Sequence, residues 1–170
     1  MKETVRRGVF ETNSSSIHSI CISTENKIEE LILPSYLVFK TDYFGWKWEK
    51  SNSTTYKASY LYTALCCLYD KKEVSDWQNY IFETLIEYGV EAEFDPVKYD
   101  AWGMMDGGID HVDKTLPLIE SLRHSKRRLM RFLFDPKSYI ATGNDNSWPD
   151  RINGLHCNVD YDHEEYLKTN

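Results

Sequence analysis

Between Arg7 and Ser19 the chain reads RGVFETNSSSIHS, which sets Glu11, Asn13, Ser14, Ser15, Ser16 and His18 within a few residues of an apolar strand. Hydroxyls and a carboxamide at that density can close an Asx or Ser/Thr turn on their own backbone. They can equally line a polar site, with the His18 ring turned toward the protein. Two further polar groups stand far along the chain: Asp110, His111 and Asp113, and Asn144, Asp145 and Asn146. Imidazole with carboxylate suits a divalent ion, Zn²⁺ above all, so His18, Asp110, His111 and Asp145 form a candidate metal set. Glu11, Asn13, Ser14, Ser15, Ser16, Asn144 and Asn146 form the polar surround.

The spacing supports that set weakly, because the chain has no HExxH, CxxC or HxxxH. A rival thiolate set is Cys21, Cys66 or Cys67, His156 and Cys157, which would make a closed structural site. Nucleophilic catalysis lacks its local signature, since there is no G-x-S-x-G, and Ser14 to Ser16 lie on the same short segment as His18. No Walker or dinucleotide glycine motif occurs. A metal-assisted hydrolase acting on a nucleotide or nucleic acid, with His18, Asp110 and His111 around an activated water, stays open.

The motif FETNSSSIHS resembles the N-terminal signature of a set of bacteriophage and Firmicutes proteins in which FETNSSS is followed by one residue and then HS. GGIDH at Gly107 to His111 and SYIATGNDN at Ser138 to Asn146 resemble the same proteins. The resemblance is tight only in those three stretches and implies that they converge. Small phage proteins of this kind include anti-CRISPR and other anti-defence inhibitors. By analogy of type, the resemblance implies a non-enzymatic inhibitor of a host effector, for example the type II-A CRISPR nuclease Cas9. A structural zinc ion on the candidate metal set is the expected cofactor, knitting the N-terminal turn to the GGIDH and GNDN loops.

Charge bears on the same question. Twenty basic against twenty-seven acidic residues in 170 give a formal net charge of -7, which opposes non-specific nucleic-acid binding over the whole surface. From Glu73 to Asp113 stand eleven acids and one base, Lys98, a net of -10. Lys114 to Phe134 carries +5. The two segments can be solvated faces that neutralise one another. The functional reading is that the acidic one, with Glu83, Glu87, Glu91 and Glu93 as partner-binding residues, presents a nucleic-acid-like field to a basic protein.

The elements that position these groups follow from periodicity. Strands are expected at Val5 to Phe10 and Ile17 to Ile22, where alternation puts His18, Ile20 and Ile22 on one face and Cys21 on the other. A short helix is expected over Thr24 to Leu33, and a hairpin joining Tyr36 to Lys40 with Trp46 to Glu49. Helices are expected over Tyr56 to Tyr69, from a Ser75 cap to Tyr88, and without interruption over Leu116 to Phe134. Strands are expected at Val90 to Phe94, Lys137 to Thr142 and Leu155 to Tyr161, with fraying or a short helix after His163. The whole reads as a single α+β domain, a mixed or antiparallel sheet with three or more helices packed on it. The four cysteines read as thiols or ligands, and the absence of an apolar leader or span points to a soluble protein of the host bacterial cytoplasm.

Overall fold

The computed structural model describes residues 16–24, 26–144 and 164–169. In chain order these form β1 (Ser16–Ser23), β2 (Tyr36–Phe39), β3 (Tyr43–Phe44), β4 (Glu49–Ser51), α1 (Thr54–Leu68), α2 (Lys71–Glu87), β5 (Glu91–Phe94), β6 (Gly108–Ile109), α3 (Leu116–Arg123), α4 (Lys126–Phe134), β7 (Tyr139–Asn144) and β8 (Glu164–Thr169). The class is α+β. The main sheet runs β4-β7-β1-β8 with every pairing antiparallel, and two parallel pairs, β2-β5 and β3-β6, accompany it. The expected strands at Val5 to Phe10 and Leu155 to Tyr161 lie outside the described residues.

The centre of the fold is α1. Its nine consecutive residues Lys57 to Leu65 are buried, so this helix is enclosed on all sides, not covered along one stripe. It packs on β2 and β6 and against α2, α3 and α4, while α4 lies on β1. One apolar cluster joins these elements, with Ile20 and Ile22 of β1, Phe39 of β2, Tyr60 and Leu61 of α1, Trp77 of α2 and Phe132 of α4 among its buried members.

Several boundaries differ from the sequence expectation for identifiable reasons. The helix over Thr24 to Leu33 reduces to one 3-10 turn at Ile28–Glu30. Ile28 is the turn's one buried side chain and Pro34 follows, too little apolar contact to sustain a nucleus. The hairpin of Tyr36 to Lys40 with Trp46 to Glu49 does not form. β2 instead pairs in parallel with β5, Leu37 opposite Ala92, and α1 with α2 supply the long crossover that parallel pairing needs. α2 begins four residues before Ser75, because Asp70 and Glu73 form a capping box. The Leu116 to Phe134 helix is two helices: Ser125 leaves helical geometry and caps α4 through the Arg128 N–H. The C-terminal segment neither frays nor coils; as β8 it pairs with β1, Ile20 opposite Leu167. Among the described residues, no helix is long and apolar enough to cross a membrane.

Candidate functional site

The described parts of the three stretches, Ser16–Ser19, Gly107–His111 and Ser138–Asn144, meet around β1. Ser16 and Asn144 are opposite one another in the β1–β7 ladder, as are His18 and Thr142. Asp110 arrives from the end of β6, where its N–H donates to the carbonyl of Phe44 at 3.0 Å. That places the Asp110 carbonyl 2.6 Å from Nε2 of His18. On the other side of the ring, Nδ1 lies 3.1 Å from the hydroxyl of Tyr60.

For the neutral imidazole these two contacts fix the tautomer. A carbonyl only accepts, so Nε2 carries the proton, and Nδ1 is left as the acceptor for the Tyr60 O–H. Burial pushes the Tyr60 phenol far above its ordinary range, so it remains a donor. His18 is 1% exposed. A ring enclosed to that degree, with a hydrogen bond on each nitrogen, joins strand, helix and loop and does not reach a substrate in solvent.

Glycine makes the approach possible. Gly45 has φ +98, and a Cβ there would lie 2.9 Å from Cβ of Asp110 and 3.2 Å from Cε1 of His18. In GGIDH, Gly107 has φ +125 and a Cβ on it would meet Thr41 and the backbone of Asp42 at 2.9 to 3.1 Å. His111 itself adopts the left-handed conformation, φ 54 and ψ 42. Its ring stands 3.8 Å from the Asp110 carboxylate, on the half-buried outer side of the loop.

The zinc set is therefore only partly assembled among the described residues. Asp110 and His111 are neighbours, but His18 meets Asp110 through a backbone carbonyl with both its nitrogens engaged. No group of three His, Cys, Asp or Glu is placed to hold a metal ion among the described residues. Asp145, Glu11, Asn13, Ser14, Ser15 and Asn146 lie outside them, as do His156 and Cys157 of the thiolate set. Of the other thiols, Cys21 is buried, Cys66 half-buried and Cys67 exposed.

Two features had no sequence motif to announce them. Lys57 is wholly buried, and its ammonium donates to the carbonyls of Asp135 at 2.9 Å and Ser138 at 3.1 Å. Desolvation lowers its pKa to about 8 against the pull of the Asp135 charge. The second is the segment from Tyr99 to Met105, closed by a bridge between those two residues. One carboxylate oxygen of Asp100 accepts the N–H groups of Trp102 at 2.9 Å and Met104 at 2.8 Å. Trp102 at this tip is 90% exposed and Met104 67%.

The acidic residues named as partner-binding are all at the surface. Glu83 and Glu87 lie one turn apart on α2, and Glu91 and Glu93 occupy the outward positions of β5, which packs on α2. Glu87 pairs with Lys126; Glu91 and Glu93 have no ion-pair partner among the described residues. Phe82 and Ile86, beside the two α2 acids, are each about half exposed.

Comparison with family models, with curated proteins and with solved structures finds no match.

Proposed function

We propose that the chain works by binding a protein and inhibiting it. Its partner is a basic, nucleic-acid-handling effector of a host bacterial cell, a CRISPR nuclease such as Cas9 being the case that the FETNSSS signature suggests. The observation that carries this reading is the set of surface carboxylates on α2 and β5: Glu83, Glu91 and Glu93 stand exposed outside any ion pair among the described residues, and α2 also leaves Phe82 and Ile86 about half exposed. Carboxylates accompanied by exposed apolar side chains suit a groove that otherwise holds phosphates and bases, because the charge steers association and the apolar groups are desolvated on contact. The exposed Trp102 and Met104 offer a second anchor of the kind that protein interfaces favour.

The test is competition. The immobilised protein should capture a basic effector from host extract at low salt, lose it when Glu83, Glu91 and Glu93 are all changed to Lys, and prevent that effector from binding its nucleic acid. Capture that is unchanged by the triple charge reversal would sink the reading.

A further inference from the structure

One edge of β5 is unpaired. On the paired edge Ala92 stands opposite Leu37 of β2, and Phe94 opposite Phe39. The N–H groups of Glu91 and Asp95 donate to the carbonyls of Ser35 and Phe39, each at 2.9 Å, so these residues turn their main chain toward β2. Along a strand that direction alternates, and Ala92 and Phe94 therefore turn theirs to the opposite edge. Among the described residues no third strand lies there, and the N–H and C=O groups of Ala92 and Phe94 have no hydrogen-bond partner. Main-chain groups left unpaired away from water are rare, so this edge is open to solvent. It is a template on which another extended chain can continue the ladder.

The side chains select which chain. Glu91 and Glu93 project from the outer face, exposed and outside any ion pair among the described residues. A strand laid on the edge brings every second side chain to about 5 Å from theirs, where opposite charges attract and like charges repel. A second copy of this chain, pairing here by two-fold symmetry, would set glutamate against glutamate, so the edge opposes self-association. Lysine or arginine at alternate positions is favoured instead. On the inner face the neighbours are Ala92 and Phe94, whose ring stacks on Phe39 with centroids 4.7 Å apart and meets Tyr62 edge-on at 5.4 Å. That face suits apolar side chains.

We propose that β5 takes up an extended segment of a partner protein as an added strand, one in which lysine or arginine alternates with apolar residues. The inference rests on the reading of α2 and β5 as a surface for a basic partner and gives it a mode of recognition. Main-chain hydrogen bonds to Ala92 and Phe94 supply affinity, and Glu91 and Glu93 supply selection.

The probe is the acetylated and amidated peptide Lys-Val-Lys-Val-Lys, titrated into the ¹⁵N-labelled full chain. The amides of Ala92 and Phe94 should shift saturably. Two further peptides, N-methylated at both valines or at all three lysines, carry the same charge and separate strand addition from plain charge attraction. Only alternate N–H groups of a strand face its template, so one methylated peptide should bind tenfold or more weakly, as the loss of two hydrogen bonds implies, and the other like the parent. Loss at the valines reports antiparallel addition, and loss at the lysines parallel addition. Glu91→Gln combined with Glu93→Gln should weaken the parent peptide about tenfold, in spectra that also report whether the variant is folded. Absence of saturable shifts, or an equal effect of the two methylation patterns, overturns strand addition. Binding unchanged by the two glutamine substitutions overturns the basic ligand. The two readings fail separately. Effector capture that is abolished by reversing Glu83, Glu91 and Glu93, yet not competed by the peptide, overturns strand addition as its mode. Binding that depends on alternate N–H groups, with no effector captured, upholds the edge site and overturns the effector.

Discussion

Nε2 of His18 donates to the main-chain carbonyl of Asp110, 92 residues further along, at 2.6 Å. The bond ties the end of the FETNSSS signature to the GGIDH loop, and with Tyr60 on the other nitrogen it pins both to α1. Tyr60→Phe should remove one buried hydrogen bond at Nδ1, a loss of about 1 to 2 kcal/mol. His18→Ala should cost about 3 kcal/mol or more, because it also opens a cavity and removes the bond to the Asp110 carbonyl. Urea unfolding of the two single variants and the double variant checks this. The coupling between them should be of the order of 1 kcal/mol, and additive losses would show that the two rings do not share a bond.

Gly45 and Gly89 both have positive φ, +98 and +77, yet they should respond differently to Ala. At Gly89 nothing lies within 4 Å of a new Cβ, so only backbone strain opposes it, about 1 kcal/mol. At Gly45 the same strain adds to a Cβ 2.9 Å from Asp110 and 3.2 Å from the His18 ring. Gly45→Ala should therefore lose roughly 2 kcal/mol or more, since overpacking itself typically costs 1 to 3. Denaturation midpoints ranked in the opposite order would mean that the loop yields without disturbing His18.

The parts of this arrangement that were legible in the sequence are the ones with local periodicity. α2 and β5 show it, separated by Gly89 at φ +77, and the β1 alternation placed His18 with Ile20 and Ile22. What hid His18's role is that one of its partners is a backbone carbonyl, which leaves no mark on residue type, and the other, Tyr60, is one ring among several in α1. The break at Ser125 was masked because Arg123, Arg127 and Arg131 keep helical spacing across it. The Arg123 guanidinium itself lies over the Trp77 ring, 5.3 Å from its centroid. Parallel pairing of β2 with β5 is settled by packing between distant segments, which no window of sequence contains.

Lys57 should impose a recognisable pH dependence. Its pKa falls from 10.5 in the open chain to about 8 in the fold, so between those values the unfolded state binds more protons than the native one. Stability contributed by this group therefore rises with pH, beginning near pH 8 and complete near 10.5, and below pH 8 the gain is absent. Cys66, raised by burial from 9 to about 11, acts in the opposite sense above pH 9, and Tyr56 and Tyr62, raised to about 12, do so above pH 10. The clean window is thus pH 8 to 9, where wild type should gain about 1 kcal/mol over Lys57→Met, close to the 1.4 kcal/mol limit per pH unit for one proton. An unchanged difference between the two across that window would place the Lys57 ammonium in a better-solvated setting than its burial implies.

At the Tyr99–Met105 hairpin, shape and contact should separate. Trp102 is 90% exposed, so Trp102→Ala should change unfolding free energy by no more than about 0.5 kcal/mol, as surface substitutions do. If the tip anchors a protein partner, the same variant should weaken capture of the effector tenfold or more, the loss typical of an aromatic hot spot. Asp100→Ala leaves the indole in place but removes the oxygen that gathers the N–H groups of Trp102 and Met104. It should speed amide exchange at those two positions, and it should weaken capture by loosening the tip. Capture unaffected by either change, with the acidic face still required, would confine the interface to α2 and β5.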